Sequence, residues 1–98
     1  MKTPVITSED YIVYLELFSS NLFIHCDCFK WSKKVKTTLT KDFNTFLSVL
    51  RQPVLAIHEI EDSKHLKFLN LMGFNYLQDF TGSDNKKRQL FIRNYHGN

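Results

Sequence analysis

The stretch from Asp62 to Phe74, D-S-K-H-L-K-F-L-N-L-M-G-F, carries both ends of a short helix in its own residues. Asp62 or Ser63 can cap the first turn, because a short side-chain oxygen accepts a hydrogen bond from a backbone N–H that lacks a helical partner. Leu66, Leu69 and Met72 recur at helical spacing, Phe68 and Leu71 widen the apolar stripe, and Gly73 supplies a left-handed residue to end the helix. Phe74 follows directly and begins a strand. This order of strand, capped helix, Gly-aromatic and strand marks an α/β chain. It speaks of fold more than of activity.

Working outward, Val54 to Ile60 (V-L-A-I-H-E-I) is an apolar run suited to a buried central strand, opened by Pro53. Before it, Val35, Leu39, Phe43, Phe46, Leu47 and Leu50 recur every three or four residues and predict a long amphipathic helix from Ser32 to about Arg51. Its start has an alternative: Lys36 to Thr40 is a poor helix former, and Thr40 can cap a shorter helix from Lys41. Tyr11 to Phe18 and Leu22 to Lys30 are strands around a Ser19-Ser20-Asn21 turn, which makes a hairpin. Met1 to Asp10, with Pro4, reads as an N-terminal arm. After the short helix come strands Asn75 to Phe80 and Gln89 to Arg93 around Gly82-Ser83-Asp84-Asn85, then a polar tail over 94–98. The chain is thus expected to be one domain over 1–98 of the α/β (α+β) class. Its order is β-β-α-β-α-β-β, a mixed sheet of about five strands with two helices.

A hydrophobic fraction of 43% supplies enough apolar surface to offset the entropy of ordering 98 residues, so a folded domain is expected. The formal charge of +3 is mildly basic and permits a nucleic-acid or acidic-protein partner. Cys26 and Cys28 lie two apart on one face of a strand, too far apart in extended chain to pair, so reduced thiols in a cytoplasmic setting are expected. The first ten residues lack an apolar segment and cleavage site of the secretory kind, and no apolar run reaches membrane-spanning length. A soluble protein without a membrane partner is expected.

With these elements in place, Phe68 to Phe74 (F-L-N-L-M-G-F) resembles the short helix ending in leucine-Gly-Phe of the GNAT acyltransferases, and the resemblance runs from Tyr11 to Arg93. It implies a GNAT-like domain, with acetyl-CoA as cofactor if the chain is an N-acetyltransferase. It also implies an apolar slot for pantetheine where the central and penultimate strands splay. The family grips the pyrophosphate with an Arg/Gln-x-x-Gly-x-Gly/Ala loop at a helix N-terminus, where glycines let amides approach the phosphates. The matching stretch here, K-W-S-K-K-V-K-T-T-L, has no glycine, and only Lys33, Lys34 and Lys36 remain as candidate cofactor-binding residues. Leu69 stands where the family commonly has the tyrosine that protonates the departing thiolate, and leucine has no proton to give. Asp62 replaces the usual Asn before that helix.

W-S-K-K-V-K from Trp31, H-L-K-F-L from His65 and Gln89-Leu90-Phe91 resemble the small GNAT-like internal virion proteins of short-tailed phages. That likeness implies a phage protein, in the host cytoplasm or the virion, whose inherited acyltransferase scaffold serves virion assembly or contact with host components. The first reading is therefore a catalytically degenerate GNAT-like domain that binds a phage or host protein and needs no cofactor. The second is an acyl-CoA-dependent N-acetyltransferase with an atypical cofactor loop. The third is a small nucleic-acid-binding or inhibitory module using Lys33, Lys34, Lys36 and Lys41 with Trp31 and Phe29.

His58 and Glu59, near the end of the central strand, are the weak candidates for an acid/base role, since ligands of open α/β sheets sit beyond the carboxyl ends of strands. A structural histidine is the competing reading. His25 and Asp27 alternate with Cys26 and Cys28 across the strand, which splits the potential ligands between faces and argues against a metal. Two buried, small apolar cysteines and a half-exposed His-Asp pair are expected instead. Lys86-Lys87-Arg88 can discourage edge pairing, and the aromatic first hairpin leaves an edge open for a homodimer.

Overall fold

A computed structural model describes residues 1–95; the last three positions of the expected tail lie outside the described residues. The elements are β1 (Lys2–Thr7), β2 (Tyr11–Phe18), β3 (Asn21–Cys28), α1 (Lys33–Leu50), β4 (Val54–Glu59), α2 (Ser63–Leu71), β5 (Asn75–Thr81) and β6 (Lys87–Arg93). The strands form one mixed sheet in the order β1-β2-β3-β4-β6-β5. Fold class and both helices are as expected. The sheet has six strands instead of five.

The extra strand corrects the reading of residues 1–10 as an arm. β1 pairs antiparallel with β2 from Lys2↔Glu16 to Thr7↔Ile12, with a register shift between Pro4 and Ile6. Proline is tolerated because β1 is an edge strand and the ladder is already interrupted there. The signal was the β-branched run Val5-Ile6-Thr7, outweighed by Pro4. Between β2 and β3, Ser19 and Ser20 both adopt positive φ, 51° and 65°. That geometry matches the right-handed twist of a tight hairpin, at some steric cost for a non-glycine pair.

The longer of the two starts considered for α1 is the observed one. The Ser32 hydroxyl accepts from the Val35 N–H at 3.1 Å, so the helix begins at Lys33. The threonines that made this segment a poor helix former turn their hydroxyls back onto it: Thr37, Thr38 and Thr40 donate to the carbonyls of Lys33, Lys34 and Lys36. Arg51 closes the helix in the left-handed region at φ 57° and donates its N–H to the Leu47 carbonyl. In α2, Asp62 is the cap, accepting from the His65 N–H at 3.0 Å. Gly73 ends the helix at φ 83°, and Phe74 N–H donates to Leu69 O at 2.9 Å. Leu66 departs from the expected stripe at 36% exposure, because His65 takes the inward position and stacks on His58.

Both helices pack on one face of the sheet. Tyr11, Val13, Ile24, Val54, Ala56 and Phe91 meet Val35, Leu39, Phe43 and Leu47 of α1 and Leu69 of α2 in one buried cluster. Phe43 stacks on Phe74 at 5.9 Å. Two polar ties cross this core. The Tyr11 hydroxyl donates to Asp42 Oδ2 at 2.7 Å, and burial with that carboxylate pushes the phenol up to about 12. Arg93, only 5% exposed, donates from Nε to the Met72 carbonyl at 2.9 Å, from Nη2 to Asn44 Oδ1 at 2.8 Å and from Nη1 to the Asn94 carbonyl. All three acceptors are neutral, and burial lowers the guanidinium pKa.

Candidate functional site

The site region lies where β3 and β4 part. They are the parallel neighbours in the sheet, joined through α1, and share the single register position Phe23↔Leu55. Beyond it the strands diverge toward their carboxyl ends, where α/β sheets gather ligands. The expected slot between central and penultimate strands is therefore misplaced: β5 pairs with β6 and not with β4. Chain order does not give spatial order when the last hairpin inserts its second strand beside the centre.

At the mouth of this seam stands the start of α1. Lys33, Lys34 and Lys36 are exposed, no acidic residue occupies the first turn, and none of the three lysines makes an ion pair among the described residues. Trp31, 51% exposed, contacts Phe68 of α2 edge-on at 6.4 Å, and Phe29 beside it is 62% exposed. The mouth is basic and aromatic. Its first turn is an ordinary serine cap and not a glycine loop.

On the helix side of β3 the side chains are closely packed. Leu69 is 1% exposed, and Cys26, Leu39, Phe43, Phe68 and Met72 are among the residues around a void of about 10 Å³. That is about one water molecule. Burial pushes the Cys26 thiol up to about 12, which removes it as a nucleophile near neutral pH. Cys28 is exposed, contrary to the expected pair of buried cysteines, because β3 ends beyond the cover of the helices. His25 Nε2 meets Glu16 Oε1 at 2.8 Å on the opposite face from Cys26. Among the described residues no three His, Cys, Asp or Glu gather as metal ligands.

His58 and Glu59 are not brought together. Adjacent strand positions point to opposite faces, so His58 is buried under the helices at 1% exposure while Glu59 accepts from Arg88 Nε at 2.7 Å on the other face. Arg88 also grips Asp84 through both terminal nitrogens, which holds that carboxyl down at about 2. The basic run 86–88 thus contributes a pinned hairpin.

The partner of His58 is His65, Nδ1 to Nδ1 at 3.0 Å, with the rings stacked at 5.2 Å. Phe91 meets His58 edge-on at 5.6 Å, and Phe68 lies over His65 at 6.5 Å, so a row of rings runs from the sheet to Trp31. The sequence carried a sign of this: His58 follows Val54 and Ala56 at inward spacing, and His65 precedes Phe68, Leu69 and Met72 at helical spacing. One imidazole must donate and the other accept, so at least one is neutral.

Burial and then the proximity of His58 lower the His65 pKa. A histidine whose folded value lies below its unfolded value of about 6.5 stabilises the fold fully above that pH and loses this contribution as pH falls through the folded value. Thermal unfolding from pH 7.5 to 5 should show a falling Tm, and His65→Phe should flatten that slope. An unchanged slope in the variant would assign the acid sensitivity to other groups.

A roomier depression, of about 400 Å³, lies at the far end of the first hairpin and is lined by Met1, Thr3, Val5, Leu15, Leu17 and Leu22. It offers apolar contact and no acid or base.

No protein-family model matches the chain, and no curated protein matches it. A solved structure from Sphaerobacter thermophilus, with a provisional acetyltransferase assignment, superposes with a TM-score of 0.50 at 6% identity, over 89% of this chain. The match covers 61% of that chain, so the present one spans about three fifths of its length. With the strand order, the splayed parallel pair and the capped helix ending at Gly73, it shows a GNAT-like α+β fold. No helix among the described residues is long and apolar enough to cross a membrane.

Proposed function

We propose that the chain is a catalytically degenerate GNAT-like domain, of phage origin, that acts by binding a phage or host protein in virion assembly or host takeover. The observation that carries this is the close packing on the helix side of β3: Leu69 is buried, and the void bordered by Cys26, Leu39, Phe43, Phe68 and Met72 is about 10 Å³. A pantetheine arm needs a channel many times larger, and a departing thiolate needs an acid within hydrogen-bond reach. The buried titratable groups nearby are already spoken for, His58 by His65 and Cys26 by its raised pKa. What remains accessible is a contact surface of Phe29, Trp31 and the exposed Lys33, Lys34 and Lys36, suited to an acidic protein segment.

Calorimetric titration with acetyl-CoA and with CoA tests the reading. The expected result is no heat and no thermal shift at millimolar ligand. Micromolar binding that is lost in Lys33→Glu/Lys34→Glu would overturn it in favour of an N-acetyltransferase that grips the cofactor through lysines. The lysines also support a nucleic-acid reading, for which affinity for a single-stranded oligonucleotide should fall steeply with added salt.

A further inference from the structure

His58 and His65 tie together two elements where little else does. In the first half of α2, Ser63, Lys64, Leu66 and Lys67 are exposed, and His65 alone turns toward the sheet. The second half is anchored: Leu69 and Met72 are buried, and the Met72 carbonyl accepts from Arg93. The pair also supports the mouth of the seam, since Phe68 lies over His65 and Trp31 meets Phe68.

The geometry limits how many protons the pair can hold. The two Nδ1 atoms are 3.0 Å apart and the ring centres 5.2 Å apart, so the nitrogens lie close to the line between the rings. With both rings neutral, one N–H donates to the lone pair of the other. With one ring protonated the same bond forms, now charge-assisted. With both protonated, two N–H groups of like charge point at each other and no bond is left. The closed pair therefore takes one proton at most, whereas two imidazoles released into water each titrate near pH 6.5.

We propose that this pair is an acid-released latch, in which a second proton parts His65 from His58, lifts the first turn of α2 off β4 and loosens Phe68 and Trp31 at the mouth. That the latch regulates partner binding rests on the protein-binding reading; the release itself does not.

No neighbouring group compensates the second charge. On β4, Glu59 faces the other side of the sheet and is bound by Arg88. On β6, Gln89 pairs with His58 in register and Phe91 meets its ring, and neither titrates. Across Phe91, the Tyr76 hydroxyl of β5 donates to Asp79. The turn into α2 brings exposed Glu61 and the cap Asp62, whose Oδ1 accepts from the His65 N–H, and Lys64 follows them. The entry to α1 adds Lys30, Lys33 and Lys34, all exposed cations. Asp62 favours charge on His65, but burial and His58 outweigh it. Because the open pair binds one proton more than the closed pair, opening becomes about tenfold easier for each pH unit below 6.5.

Trp31 is the single tryptophan, so its fluorescence reports the mouth directly. It is 51% exposed when held, and full release should raise acrylamide quenching about twofold between pH 7.5 and 5. Far-UV circular dichroism of the full chain should stay at its neutral-pH value over that range. In imidazole ¹⁵N spectra the rise should follow the second of the two proton-uptake steps of the pair. His65→Phe keeps a ring against Phe68 and cannot be charged, so its quenching should not change with pH. Quenching that is independent of pH in the wild type overturns the proposal, as does an equal rise in His65→Phe or a rise that follows the first uptake step. Loss of circular dichroism in step with the quenching overturns it too, since the whole domain would then be unfolding. Each of these readings is made without a partner, so they stand or fall separately from the protein-binding reading.

Discussion

Replacing Phe43 by alanine is expected to cost about 4 kcal/mol, the range found when a large buried aromatic is truncated. Phe43 is 3% exposed, stacks on Phe74 and borders the void behind β3. It joins α1 to the residue that follows α2, so the loss falls where three elements meet. Relaxation around the site is limited, because Gly73 and the Leu69 carbonyl fix the backbone of Phe74. Urea unfolding should show the midpoint falling with little change in slope. Phe43→Leu should recover more than half of the loss by refilling most of the volume. Equal destabilisation by leucine and alanine would show that the aromatic stack, and not filled volume, is what matters here.

Arg93→Ala is expected to cost about 3 kcal/mol, which for a domain of this size lowers Tm by roughly 15 °C. The loss comes chiefly from the buried Met72 carbonyl left without its donor, together with the packing of the buried arginine stem; Asn44 is exposed and water replaces the bond to its Oδ1. No partner carboxylate is stranded by the change, which keeps the cost below that of breaking a buried ion pair. Gly73 belongs to the same contact: a Cβ placed there would lie 2.7 Å from Arg93 Nε. Gly73→Ala and Arg93→Ala should therefore be strongly non-additive, the clash vanishing once the guanidinium is gone. Additive losses would show that the positive φ at Gly73 alone sets its cost.

The sequence made α2 legible because its signals are local: a cap, a spacing and a glycine, each acting within a turn. The sheet was legible strand by strand and not in its order, since pairing of β6 with β4 joins residues far apart in the chain. β1 was missed because Pro4 is a breaker in a central strand and harmless at an edge, a distinction that only the finished sheet supplies. His58 was read both as a candidate base and as a structural residue. Alternation alone separates it from Glu59, but nothing local pairs it with His65. Arg93 gave no sign of burial, since arginine is usually exposed and two of its three acceptors, the Met72 carbonyl and Asn44 Oδ1, come from distant segments.

The single register position between β3 and β4 bears on how the molecule assembles. On either side of it the sheet is built from contiguous chain: residues 2–28 form one antiparallel meander and residues 54–93 hold the other three strands with α2. The first piece can be knit by short-range closure, which is fast; the second must carry β6 back beside β4 past α2 and β5, and the union of the two must wait for α1 to span the gap and lay its apolar stripe across both. The slow event in forming this fold is then the docking of two prefolded pieces, and native-state hydrogen exchange should divide the chain near Pro53 into two cooperative units.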